Sequence, residues 1–373
     1  MTFEPFAMER WQSTWENLVR YNLSESGVHP LTVGELLAVS GTSLDELAAV
    51  RLGYPQSNGT DPLRAAIAAL YPGATPDNVL VTSGSAEANF CVCWRLIEPG
   101  DRVAMVLPTY MQTWGLARSF GAQIAPIWLR EEHAWQPDLS EVDAAIASGT
   151  KLVIVTNPNN PTGAILSAEG AERIARRASE VGAWLLADEV YQGAEREARP
   201  TVSFWGRTER VAITNGLSKA YGLPGLRIGW CVAPTDLVGE LWARKDYTTI
   251  GPGVISDLLA TRVLAPGVRT KILERTRSIL NTNWRVLDQW LAAARGEFTY
   301  RAPQAGAICY TRYRSAVNSS ELAERLRRDH DVLIVPGDHF AMDGFVRLGF
   351  GPPAAELEAA LARVARAFER LDD

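Results

Sequence analysis

The chain has 373 residues, with 37 Lys plus Arg against 43 Asp plus Glu, a net charge of −6 and 47% hydrophobic residues. Chains beyond about 250–300 residues rarely keep one core, so two domains are expected, and the apolar fraction excludes a disordered chain. A negative balance without basic runs argues against a nucleic-acid binder, and no apolar run approaches the ~18 residues of a membrane span.

Residues 1–34 carry Phe3, Phe6, Met8, Trp11 and Trp15 without a strand-and-loop rhythm. The start, MTFEPFAMERWQ, lacks the basic-then-apolar pattern of a secretory leader, so a cytoplasmic location is expected. This arm is expected to join residues 270–373 in a smaller α+β domain, leaving 35–269 as the large domain.

Between about residue 79 and residue 234, short apolar runs alternate with helix-like stretches, the mark of a parallel α/β fold, so a mostly parallel sheet between helices is expected. The predicted strands are Val79–Val81, Val103–Leu107, Ile124–Leu129, Leu152–Val155, Trp184–Ala187, Val211–Thr214 and Ile228–Val232. They are apolar throughout, as strands buried on both faces should be. After Ser167 the pattern predicts a helix capped by that serine and stopped at Gly182. A long helix is predicted from Thr270 to Ala294, and an amphipathic one over Ala354–Leu371 closes the chain.

The strand ends carry the chemistry. Val79–Val81 leads into Thr82-Ser83-Gly84-Ser85-Ala86, and Val103–Leu107 into Pro108-Thr109-Tyr110. Leu152–Val155 leads into NPNNPTG (Asn157 to Gly163), Trp184–Ala187 into Asp188-Glu189-Val190-Tyr191, and Val211–Thr214 into Asn215-Gly216-Leu217-Ser218-Lys219. Ligands of open α/β sheets bind outside the carboxyl ends of the strands, so these residues are expected to converge on one site.

Residue types narrow the chemistry. Cys91, Cys93, Cys231 and Cys309 show no CxxC spacing, and His29, His133, His330 and His339 are dispersed, so neither zinc nor a disulfide framework is indicated. Cys91 and Cys93 read as small buried residues on a helix. Only Lys151, Lys219, Lys245 and Lys271 could supply an amine nucleophile. Lys219 beside Ser218 at a strand end, with Asp188 one strand away, suits a carbonyl cofactor held as a Schiff base. A pyridine electron sink needs an acid at its ring nitrogen, and its phosphate needs helix-start N–H groups plus an arginine. Asp188, Gly84-Ser85-Ala86 and Arg227 meet those needs.

Taken in order, Tyr54-Pro-Gln-Ser-Asn-Gly59 with Leu63-Arg64, then SGSAEA, PTY, NPNNPTG, DEVY and SKAYGLPGLRIG, resemble the fold-type-I aminotransferases of the class I/II family, which depend on pyridoxal 5′-phosphate. The resemblance runs from Tyr54 to Arg347. It implies that Lys219 forms the Schiff base and moves the proton between Cα and C4′, and that Asp188 pairs with the pyridinium nitrogen. Asn160 and Tyr191 would bond the ring's O3′, Tyr110 would stack on the ring, and Ser85, Ala86, Ser218 and Arg227 would hold the phosphate. Tyr54 would reach the phosphate of the neighbouring subunit, which implies a homodimer. Arg347 would clamp the substrate α-carboxylate, with Gly27 and Asn160 near the substrate.

Two departures stand out. Gly216 occupies the place where the family usually has a phosphate-binding Ser or Thr, and the segment Leu23-Ser-Glu-Ser-Gly27-Val lacks the usual acid and Pro after the glycine. The resemblance implies transfer of an amino group from an L-amino acid to a 2-oxo acid. The alternative is a PLP-dependent lyase or cyclising enzyme, because ERWQSTWENLVRYNLSESGV resembles the subgroup that includes capreomycidine-synthase-like proteins. A non-catalytic regulator is not expected, since the stretch ahead of the core is short and not basic. Trp11, Trp15, Trp114, Trp128 and Trp242 are open candidates for core or pocket wall.

Overall fold

The structure is a computed structural model, which describes residues 3–294 and 296–368. The arm forms the helix Ala7–Trp15 and a two-residue strand, β1 (Tyr21–Asn22). Then come β2 (Val79–Thr82), β3 (Arg102–Leu107), β4 (Gln123–Trp128), β5 (Thr150–Thr156), β6 (Trp184–Asp188), β7 (Val211–Gly216) and β8 (Gly229–Val232). The last five strands are β9 (Phe298–Tyr300), β10 (Ile308–Tyr313), β11 (Val332–Leu333), β12 (Val335–Pro336) and β13 (Phe345–Gly349).

All the predicted apolar runs become strands of one seven-stranded sheet, ordered β2-β8-β7-β6-β5-β3-β4. Strands β7, β6, β5, β3 and β4 pair in parallel, whereas β8 runs antiparallel to both β2 and β7. The expected mostly parallel sheet is thus present, with β8 its antiparallel member. A parallel return needs a long crossover, usually a helix, and between β7 and β8 there is only the short 3₁₀ turn Pro224–Leu226.

Side chains from alternate positions of each strand enter different cores. In β3, Val103, Met105 and Leu107 pack with Ala88, Cys91 and Val92 of the helix Ser85–Leu96, while Ala104 and Val106 pack on the opposite face. Cys91 and Cys93 are fully buried, as expected of small core residues. The register then aligns the strand ends: Thr156 pairs with Asp188, and Asp188 with Thr214. Ser167 caps the helix Ala168–Glu180 by accepting from Gly170 N.

A second, antiparallel sheet has the order β12-β13-β10-β9. It is accompanied by the helices Pro266–Ala293, Ser319–His330 and Ala354–Phe368. The first of these starts at Pro266 rather than Thr270, because proline in a first turn forfeits no hydrogen bond. Leu371, the expected end of the terminal helix, lies outside the described residues. The arm is tied to this side of the molecule: β1 pairs in parallel with β11, and the Trp11 indole donates to Ile334 O at 2.8 Å. Among the described residues no helix is long and apolar enough to cross a membrane.

Candidate active site

A cavity of about 270 Å³ opens at the carboxyl ends of the central strands, where the arm and Arg347 of β13 close over them. Ser85, Ala86, Tyr110, Asn160, Asp188, Tyr191, Ser218, Lys219, Arg227 and Arg347 all line it, so residues spread over most of the chain do converge.

Asp188 ends β6 and is buried at 4% exposure. Its carboxylate accepts from the Asn89 amide at 2.9 Å and from Val190 N at 3.1 Å. Thr214 at the same level of β7 donates to Asn89 Oδ1 at 2.6 Å, which fixes the orientation of that amide. Burial pushes the Asp188 carboxyl above the ordinary range, against the pull of those two donors. A carboxylate so held, with neutral donors only, suits a ring N–H⁺ delivered by a ligand.

Lys219 follows β7, and its amine lies 3.3 Å from Glu25 Oε2. Burial alone would lower the ammonium, but the charges of Glu25 and Tyr191 outweigh it and hold Lys219 above its ordinary value. Reciprocally, Lys219 pulls Glu25 below the usual carboxylate range. Gly27 packs directly on the lysine, since a Cβ there would stand 3.4 Å from Ser218 O and 3.5 Å from Lys219 Cα.

Opposite these groups is an anion cradle. The helix Ser85–Leu96 starts at Gly84 (φ +84°) with no side-chain cap, so its first N–H groups are open. The Arg227 guanidinium lies against Gly84, with Nη2 3.5 Å from Ser83 O. A Cβ on Gly84 would collide with that guanidinium, and one on Gly229 would collide with the backbone of Gly84 and Ser85. Gly216 has the same kind of constraint, because a Cβ would stand 2.9 Å from Ile228 O. The departure at Gly216 therefore fits a close approach between β7 and the start of β8.

Arg347 is 1% exposed. Its Nη1 donates to Asn160 Oδ1 at 2.7 Å and Nη2 to Ser24 O, while its buried Nε has no partner. Tyr191 donates to Ser26 Oγ at 2.8 Å, and Tyr110 packs edge-on against Phe6 at 5.0 Å and bonds Glu9. Tyr54 is not part of this cavity: its ring is 91% exposed on the outer surface.

Sequence reasoning missed several lining residues. Met8, Glu9, Gln12 and Glu16 come from the arm, Glu25 and Ser26 from the segment after β1, and Thr156 from the end of β5. The spacing Glu9–Gln12–Glu16 was the available signal, since i, i+3 and i+7 share one helix face. Asn89, one turn inside its helix, gave none. Of the open tryptophans, none lines the cavity. Among the described residues no group of three or more His, Cys, Asp or Glu could hold a metal ion.

The model of the family "Aminotransferase class I and II" matches residues 42–364. Capreomycidine synthase from Streptomyces vinaceus is 34% identical over 359 residues, covering 96% of this chain and 92% of that relative. A PLP-dependent aminotransferase from Streptococcus suis has a structure similar to this one, with a TM-score of 0.94, 34% identity and full coverage of both chains (100% and 100%). The PLP-dependent cyclase OrfR is also similar in fold, with a TM-score of 0.92, 29% identity and coverage of 99% and 98%. The open helix start backed by Arg227, the buried Asp188 carboxylate and the Lys219 amine on one cavity match what the family's cofactor requires. The chain belongs to the class I and II aminotransferase family, and its cofactor is pyridoxal 5′-phosphate.

Proposed function

We propose that the protein is an aminotransferase that moves the amino group of an L-amino acid to a 2-oxo acid. One observation carries this reading: Lys219, Asp188, Asn160, Tyr191 and Arg347 line a single cavity beside an anion cradle. When bound, pyridoxal phosphate supplies an electron sink for the charge left at the substrate Cα. Asp188 would keep the ring nitrogen protonated, Asn160 and Tyr191 would bond the ring oxygen, and Tyr110 would cover the ring face. Ser85, the Ala86 backbone, Ser218 and Arg227 would hold the phosphate. Arg347 takes the α-carboxylate, using the Nε that has no protein partner. Lys219, once released from the cofactor, would act as the general base that holds and moves the substrate Cα proton.

A homodimer goes with this reading. Tyr54 is directed to solvent beside exposed Leu52, and Tyr247 and Ile250 are also exposed, which supports an apolar face that a second copy covers. The division into 35–269 and a smaller domain of 1–34 with 270–373 is likewise proposed, supported by the pairing of β1 with β11.

A second outcome is favoured by Glu25. Loss of a substituent at Cβ or Cγ, followed by ring closure, needs a proton for the leaving group, and Glu25, 3.3 Å from Lys219, favours the protonated amine that can donate it. The similarity to capreomycidine synthase supports the same alternative. Single-turnover spectroscopy without an oxo acid separates the two. Transamination converts the bound cofactor once, stoichiometrically, to its amine form, and an oxo acid reverses it. Elimination or cyclisation restores the starting band after each turnover and overturns the aminotransferase reading.

A further inference from the structure

An amino-acid substrate on pyridoxal phosphate, the reading on which this inference rests, gives every cation of the cavity a partner: Arg227 the phosphate, Lys219 the cofactor carbonyl, Arg347 the α-carboxylate. It leaves three carboxylates on the cavity wall without a task, Glu9, Glu16 and Glu25.

Glu9 and Glu16 project from one face of the arm helix, with Gln12 between them. Gln12 is fixed, since its amide donates to Ser24 O at 2.8 Å and Ser24 Oγ at 3.2 Å. Neither glutamate is neutralised: among the described residues no Arg or Lys forms an ion pair with Glu9 or Glu16, and Glu9 accepts only the Tyr110 hydroxyl at 3.2 Å. Glu16 and Glu25 line the same cavity as Glu9, so three carboxylates face one another across it. Burial first, then repulsion by Glu25 and Glu9, pushes the Glu16 carboxyl up.

An independent observation points to a ligand in the same cavity. Arg347 is buried, lines the cavity and keeps an unpartnered Nε. Arg347 and the acidic face of the arm helix line the same cavity, so a carboxylate held by Arg347 would leave the rest of the amino acid within reach of that face. We propose that the substrate carries a cationic side chain, a guanidinium or an ammonium on a straight aliphatic stem, and that Glu9 and Glu16 are its specificity-determining residues. A cation there relieves the repulsion among the three carboxylates. An acidic side chain would add a fourth negative charge, so the same wall excludes it.

The test is a titration of the purified enzyme loaded with pyridoxal phosphate, read from the cofactor's visible band in the absence of an oxo acid. L-arginine, L-lysine, L-norleucine and L-glutamate are the probes. L-arginine or L-lysine is expected to half-saturate the change at a concentration lower than L-norleucine by about tenfold or more, with L-glutamate weakest. Glu9→Gln and Glu16→Gln are expected to raise the half-saturation for the cationic probes by about tenfold while shifting norleucine less. Glu16→Asp is expected to restore part of the preference, and unaltered cofactor absorbance and Tm show that the variants fold. The proposal is overturned if norleucine or glutamate binds as tightly as arginine and lysine, or if both Gln variants weaken all four probes equally. If no amino acid perturbs the band, the amino-acid reading itself fails, a result distinct from loss of charge preference alone.

Discussion

Glu25 sets a carboxylate oxygen 3.3 Å from the Lys219 amine, and it does so from the arm, not from the sheet that carries the lysine. The pair binds two distant parts of the chain at the atom that must lose a proton to react with the cofactor. Its consequence is a pH dependence with a definite sign. Glu25 stabilises the ammonium, so Lys219 in the cofactor-free protein needs a higher pH to become nucleophilic. Glu25→Gln is expected to move the pH midpoint of cofactor uptake downward, measured by stopped-flow formation of the visible band. An unchanged or raised midpoint contradicts this account.

Asn89 is the positioning residue for Asp188. It is fully buried, with Thr214 on one end of its amide and Asp188 on the other. Asn89→Ala strands both partners, at a cost of about 1–3 kcal/mol. The Asp188 carboxyl rises further once its donor is gone, so the ring nitrogen is held less firmly. The expected result is lower Tm and a visible band that is lost on dialysis more readily than in the parent. Thr214→Val, which removes only the outer bond, is expected to give the same effects in weaker form.

Glu189 is buried beside the site, and among the described residues no cation forms an ion pair with it. One oxygen accepts from Ser203 Oγ at 2.9 Å and Phe204 N at 2.7 Å, while Oε2 has no partner. Burial pushes its carboxyl up to about 7. A carboxyl raised in the folded state binds more protons there than in the unfolded chain, so stability falls as pH rises from about 4.5 to about 7. Glu189→Gln keeps the two accepted bonds and removes the charge. It is expected to be near neutral at about pH 4.5 and stabilising by about 2–3 kcal/mol at pH 8, by urea denaturation at both pH values. Equal effects at the two pH values refute the assignment.

Gly229 marks the place where β8 passes under the anion cradle. A Cβ there collides with the backbone of Gly84 and Ser85, which has no side chain that could swing away. Gly229→Ala is expected to cost about 1–3 kcal/mol through overpacking and to weaken cofactor retention, because the helix start must shift. Gly225→Ala, with open space around it, is the control and should leave both unchanged. Equal behaviour of the two variants rules out the close approach as the cause.

The amino-acid sequence determined the central sheet and the cofactor side of the site. Runs such as Val103–Leu107 and Leu152–Val155 are apolar at every position, which only burial on both faces satisfies, and the polar residues after them had one place to go. Ser85, Asp188 and Lys219 were legible because each ends its strand or follows it within a few residues, where local geometry fixes its position. The direction of β8 was not legible, since an apolar strand has the same composition whichever way it runs. Only the tertiary structure brought the arm to the cavity. The pairing of β1 with β11 and the Trp11–Ile334 bond span more than 300 residues of chain, and through them Glu9, Glu16 and Glu25 come to line the cavity that holds Lys219. Nothing local to the arm encodes that meeting, because a charged residue on a short amphipathic helix looks the same whether it faces solvent or a cavity.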